Sequence, residues 1–148
     1  GTGRSADFNR DGYLDLLLNS AVIYGCKSGF SVPDRFEFQP PTCYPGLADL
    51  DRDGWLDVIS PLSHQVIIFW GAVSGFDNDR TRVLSLPGKR ITTVETADFN
   101  RDGENDLLWR HAVSGATAVW LMNGTALGSA VLLPNQGVQW RVGGAAAR

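Results

Sequence analysis

Asp49-Leu50-Asp51-Arg52-Asp53-Gly54-Trp55-Leu56-Asp57 sets four carboxylates, at loop positions 1, 3, 5 and 9, around one glycine at position 6. Two other stretches repeat the pattern: Asp7-Phe8-Asn9-Arg10-Asp11-Gly12-Tyr13-Leu14-Asp15 and Asp98-Phe99-Asn100-Arg101-Asp102-Gly103-Glu104-Asn105-Asp106. All three fit D-h-[DN]-R-D-G-x-x-D, where h is apolar, and they start 42 and then 49 residues apart. Six specified positions recurring three times are not a chance match. An internal repeat of this length decides how the whole chain is read.

Side-chain oxygens at positions 1, 3, 5 and 9 converge when the chain curls tightly, and a glycine at position 6 admits the backbone conformation such a curl needs. Position 7 then offers a backbone carbonyl, from Tyr13, Trp55 or Glu104. Oxygen-only ligands in this number suit a hard cation taking six to eight of them, which is Ca²⁺. Mg²⁺ holds to a stricter octahedron and keeps its waters, so it ranks second. No Cys or His lies in the loops, which argues against zinc. The expectation is three Ca²⁺ ions, at Asp7, Asn9, Asp11, Tyr13 and Asp15; at Asp49, Asp51, Asp53, Trp55 and Asp57; and at Asp98, Asn100, Asp102, Glu104 and Asp106. The plainer reading is three Asp/Gly turns without an ion. Against it, three or four carboxylates within nine residues repel one another unless a cation sits among them. Arg10, Arg52 and Arg101, at position 4, are expected to face solvent and soften the acidic field.

The loops are not EF-hands. The position-12 glutamate is replaced by Leu18, Ser60 and Trp109, and the flanks are strand-like: Leu14–Leu18, Leu56–Ile59 and Asp106–Trp109. A second apolar run follows in each repeat, over Ala21–Tyr24, Gln65–Trp70 and Thr117–Met122. Each ends in a glycine-bearing turn, Lys27–Phe30, Val73–Phe76 or Asn123-Gly124-Thr125, the last a strong hairpin signal. A more polar strand comes next, over Arg35–Phe38, Thr81–Leu84 and Ala130–Leu133, and Tyr44–Ala48 and Thr92–Ala97 lead into the following loops. Four strands per repeat predict an all-β chain of three four-stranded antiparallel propeller-type blades, over residues 1–41, 42–90 and 91–137, with 138–148 as a surplus strand. A closed propeller takes about four to eight blades. Three blades therefore imply a partial propeller within a longer chain, a ring completed by other copies, or an open filament.

Asp98–Asp106, followed by Leu107-Leu108-Trp109-Arg110 and by Ala118-Val119-Trp120-Leu121-Met122-Asn123-Gly124-Thr125, resembles the FG-GAP/VCBS-type repeats of bacteria, whose calcium loop also occurs in the integrin α-subunit propeller. The resemblance implies that the loop joins the first and second strands of a blade and binds Ca²⁺. It assigns Asp7, Asn9, Asp11 and Asp15 to one site, Asp49, Asp51, Asp53 and Asp57 to a second, and Asp98, Asn100, Asp102 and Asp106 to a third.

Composition narrows the function. Thirteen Lys and Arg against sixteen Asp and Glu give a net charge of −3, which disfavours a nucleic-acid partner. No apolar run is long enough for a membrane span. His64 and His111 are the sole histidines, no G-x-S-x-G nucleophile motif occurs, and eleven of the sixteen acids belong to the loops, so no enzyme is expected. Trp55, Trp70, Trp109, Trp120 and Trp140 are read as packing between blades before sugar-stacking platforms. Cys26 and Cys43 allow either one disulfide or two thiols, and Asn123 is the only N-x-[ST] sequon. Extracellular calcium modules bind at roughly 10⁻⁴ to 10⁻³ M, an affinity suited to the outside of the cell. The resulting expectation is a secreted or cell-surface calcium protein for adhesion, ligand binding or assembly. Its partners would be further blades or copies of itself, and a glycan or protein ligand. A filament subunit and a lectin-like module of a secreted enzyme are the alternatives.

Overall fold

The computed structural model describes residues 3–86, 88 and 90–134. The strand expected over 138–148, with Trp140, lies outside the described residues. Among the described residues the chain is all β, in three sheets of four antiparallel strands, none closed on itself. The first sheet holds β1 (Arg4–Ala6), β2 (Asp15–Leu17), β3 (Ala21–Cys26) and β4 (Gly29–Glu37). The second holds β5 (Gly46–Ala48), β6 (Asp57–Leu62), β7 (Gln65–Phe69) and β8 (Thr81–Ser85). The third holds β9 (Ile91–Ala97), β10 (Asp106–His111), β11 (Thr117–Asn123) and β12 (Ala126–Leu133). Strands lie side by side in chain order in every sheet, the meander of a propeller-type blade.

Alternation along the strands decides which sheet lies between the others. A strand turns successive side chains to opposite faces, so a sheet covered on both faces reads as an unbroken apolar run. In the second sheet Val58 pairs with Phe69 and Ile59 with Ile68 across β6 and β7, and all four are buried. Val58, Ile67 and Phe69 pack with Phe8, Leu17, Val22 and Phe38 of the first sheet's side. Ile59, Val66 and Ile68 face the other way, onto Leu107, Trp109, Trp120 and Met122 of the third. The rings meet edge to face: Phe38 and Phe69 at 4.8 Å between centroids, Trp109 and Trp120 at 5.8 Å. Trp109 and Trp120 thus belong to the core between the sheets.

Two connections differ from the sequence reading. β4 begins at Gly29, not at Arg35, because the turn after β3 is tight and Cys26 pairs directly with Gly29. Pro33 is tolerated there because β4 is an edge strand. The expected turn at Val73–Phe76 is present, with the Gly75 N–H on the Ala72 carbonyl at 2.9 Å, but it does not lead straight into the next strand. Residues 70–80 form a longer crossing in which Phe76 is buried in the first core and the Arg80 guanidinium donates to the carbonyls of Trp70 and Gly75.

Phe69 is fully buried between two sheets. Phe69→Ala is expected to lower unfolding free energy by roughly 3–5 kcal/mol in a denaturant titration. A loss below about 1 kcal/mol would place the ring outside a packed core.

Candidate metal centre

Each nine-residue loop joins the first strand of its sheet to the second. Position 4 is left-handed in all three, with φ of 58° at Arg10, 59° at Arg52 and 62° at Arg101, and the position-6 glycines follow at 90°, 92° and 90°. The curl turns loop N–H groups onto the loop's own carboxylates. Asp7 accepts from the N–H groups of Asp11 (3.1 Å) and Gly12 (2.9 Å), and Asp98 accepts likewise from Asp102 (3.1 Å) and Gly103 (2.9 Å). Asp49 accepts from Gly54 at 2.9 Å. The position-7 residues Tyr13, Trp55 and Glu104 donate their N–H to Asp11, Asp53 and Asp102 at 2.9, 2.8 and 2.8 Å.

The position-9 aspartate closes each loop from inside the protein. Asp15, Asp57 and Asp106 are fully buried and stand at the first residues of β2, β6 and β10. One oxygen accepts the position-2 N–H: Phe8 to Asp15 at 2.7 Å, Leu50 to Asp57 at 2.8 Å, Phe99 to Asp106 at 2.8 Å. The other accepts an N–H at the far end of the third strand, from Gly25, Gly71 and Met122, each at 2.9 Å. Both oxygens are therefore engaged in every repeat. Gly25 and Gly71 went unnoticed in the sequence. A Cβ at either would lie 2.2 Å from a backbone oxygen, of Leu14 or Leu56, so the backbone passes where no side chain fits.

The loops part company at position 3. Asn9 and Asn100 donate through Nδ2 to Asp11 and Asp102 at 2.9 and 2.8 Å, so an amide bridges two acceptors. Asp51 has no such proton to give. Asp49, Asp51 and Asp57 each bring an oxygen within 4.8 Å of the others, the one such acidic group among the described residues. Asp49 Oδ1 is buried and has no hydrogen-bond partner. Burial pushes the Asp57 carboxyl up to about 7, against its two N–H bonds and with help from the charges of Asp51 and Asp49. Burial, then Asp53 and Asp49, likewise raise Asp51. In the third loop the Glu104 N–H, the Asn100 amide and Arg52 hold Asp102 below the usual carboxylate range. The second loop thus carries uncompensated negative charge and an orphaned oxygen, a donor set that fits a hard divalent cation. The structure brings together Asp49, Asp51 and Asp57. It does not draw the carboxylates of the first and third loops into such a group.

Of the position-4 arginines, Arg101 is exposed as expected, but Arg10 and Arg52 do not simply face water. The Arg10 guanidinium lies over the Trp55 ring, 4.6 Å from its centroid, and its Nη2 would be 3.0 Å from a Cβ on Gly54. Arg52 repeats the move one sheet on, pairing with Glu104 at 3.2 Å and donating to the Gly103 carbonyl. Arg10 and Arg52 each reach positions 6 and 7 of the next loop. The partner lies more than forty residues away, so nothing local marks it; the available signal was that position 7 is always aromatic or acidic.

Other singled-out residues serve local structure. His64 lies in the turn between β6 and β7, and His111 ends β10 with Nδ1 2.7 Å from Ser114 Oγ. Cys26 and Cys43 are both free and exposed.

Meander sheets with an acidic loop between their first two strands define a propeller-type repeat protein. Residues 49–109, a little over two fifths of the chain, match the FG-GAP-like repeat. That match begins on Asp49 and ends on Trp109, spanning the second and third loops, strands β6 to β9 and most of β10. No curated protein and no solved structure matched the chain.

In chelator, folded Asp57 holds its proton to about 7, whereas an ordinary aspartate releases it near 3.8. Its contribution to stability is then fully present below pH 3.8 and is lost as pH rises through 7. Denaturant titrations across this window should show Asp57→Asn removing a downward component from the stability–pH curve. An unchanged slope would place the Asp57 proton elsewhere.

Proposed function

We propose that the chain is a calcium-braced propeller repeat protein that works outside the cell as a structural, adhesive or ligand-binding scaffold and not as a catalyst. The observation that carries this reading is the buried, unpartnered Asp49 Oδ1 beside Asp51 and Asp57. Asp49, Asp51 and Asp57 would hold the ion, with Asp53 adjoining them. The ion supplies neutralisation of like charges and no reaction. Asp57 already ties the loop to β7's far end through Leu50 and Gly71, so a cation on the same carboxylate stiffens loop and sheet together. FG-GAP repeats are typical of extracellular proteins, and no helix among the described residues is long and apolar enough to cross a membrane. Extracellular modules bind calcium at roughly 10⁻⁴ to 10⁻³ M, which matches the concentration they meet there.

Position 3 supplies the test, because Asp51→Asn gives the second loop the residue type of the other two. Calorimetric titration should show calcium affinity at this loop falling by at least about tenfold, the loss of one charged ligand. In chelator the same variant should melt no lower than the parent, since it removes repulsion. Equal calcium affinity in both proteins would refute the site.

A further inference from the structure

The arginine reach from loop to loop is a rule of the interface between neighbouring sheets, and it is left open at both ends. Arg10 engages Gly54 and Trp55, and Arg52 engages Gly103 and Glu104. Arg101 has the same left-handed backbone, exposed, with no partner among the described residues. At the other end, Gly12 and Tyr13 occupy the receiving positions of the first loop with no arginine on them, and the Tyr13 ring is 41% exposed. Tyr13 is aromatic like Trp55, the surface an arginine plane stacks on.

The apolar faces behind these loops are left open in the same sense. On the second sheet Leu50 and Ile59 are buried against the third. Their counterparts on the third sheet, Phe99 and Leu108, remain partly exposed. On the second sheet Leu56 and Val58 pack on the first. Their counterparts on the first sheet, Leu14 and Leu16, face no other sheet among the described residues, and Leu14 is 62% exposed. One open face is therefore the giving half and the other the receiving half of an interface the molecule already makes twice.

We propose that these two faces mate head to tail between two copies of this chain, with Arg101 of each copy docked on Gly12 and Tyr13 of the other. Such a contact is heterologous and closes into a ring when its rotation permits. The described sheets of two copies number six, within the roughly four to eight blades of closed propellers. The interface rests on arginines and apolar faces and does not require the calcium reading.

Sedimentation equilibrium of the chain at micromolar concentration, with calcium and with chelator, tests it. The expected mass is twice 16.1 kDa. Arg101→Glu and Tyr13→Arg, both at exposed loop positions, should each shift the protein to the single-chain mass when alone. Mixed, they should restore the doubled mass, because every contact in the mixed ring pairs either the original residues or the two substituted ones. A parent chain of 16.1 kDa, or variants that dimerise alone as tightly as the parent, would overturn the proposal.

Discussion

A carboxylate shut away from water opens the second strand of every sheet, and the arrangement depends on how it is satisfied. A carboxyl group in the interior is tolerated only when its oxygens are taken up by donors. Asp15, Asp57 and Asp106 achieve this by drawing in two backbone N–H groups that are far apart along the chain, one in the loop and one at the far end of the third strand. The loop is thereby fixed to the middle of its own sheet. Every other feature of the loop, including its left-handed arginine and its glycine, follows from fitting that anchor.

Once the anchor sets the loop's orientation, the position-4 side chain is aimed at the neighbouring sheet. The same nine residues therefore work twice, within a sheet through the aspartate and between sheets through the arginine. Apolar packing supplies the bulk of the cohesion, and Arg10 and Arg52 each add a polar contact between neighbouring loops. Only the second loop adds a third element, a carboxylate where its siblings carry an amide. That one difference, Asp51 against Asn9 and Asn100, separates a self-satisfied turn from one with surplus negative charge.

Much of this was readable in the sequence. Three copies of one loop at near-constant spacing gave the number of sheets, and alternating apolar runs gave their strands. The continuous Val58–Ile59 and Val66–Phe69 runs fit a sheet covered on both faces, but only the packing of the three sheets singles that sheet out. The loop carboxylates were recognised as a set, but their separate roles were not, because hydrogen-bond direction has no signature in residue type: Asp57 looks like Asp53 on paper, yet one is buried and clasped and the other exposed. Gly25 and Gly71 were hidden for a related reason, since only the close approach of the Leu14 and Leu56 carbonyls explains them. The arginine contacts were hidden by distance along the chain.

Amide hydrogen exchange tests the anchor most directly. The N–H groups of Leu50 and Gly71, both held by Asp57, should exchange only with global unfolding, as slowly as the β6 and β7 core, although Leu50 belongs to a loop. Exchange of Leu50 as fast as its exposed loop neighbour Asp53 would contradict the account, because the buried carboxylate would then not be holding the loop.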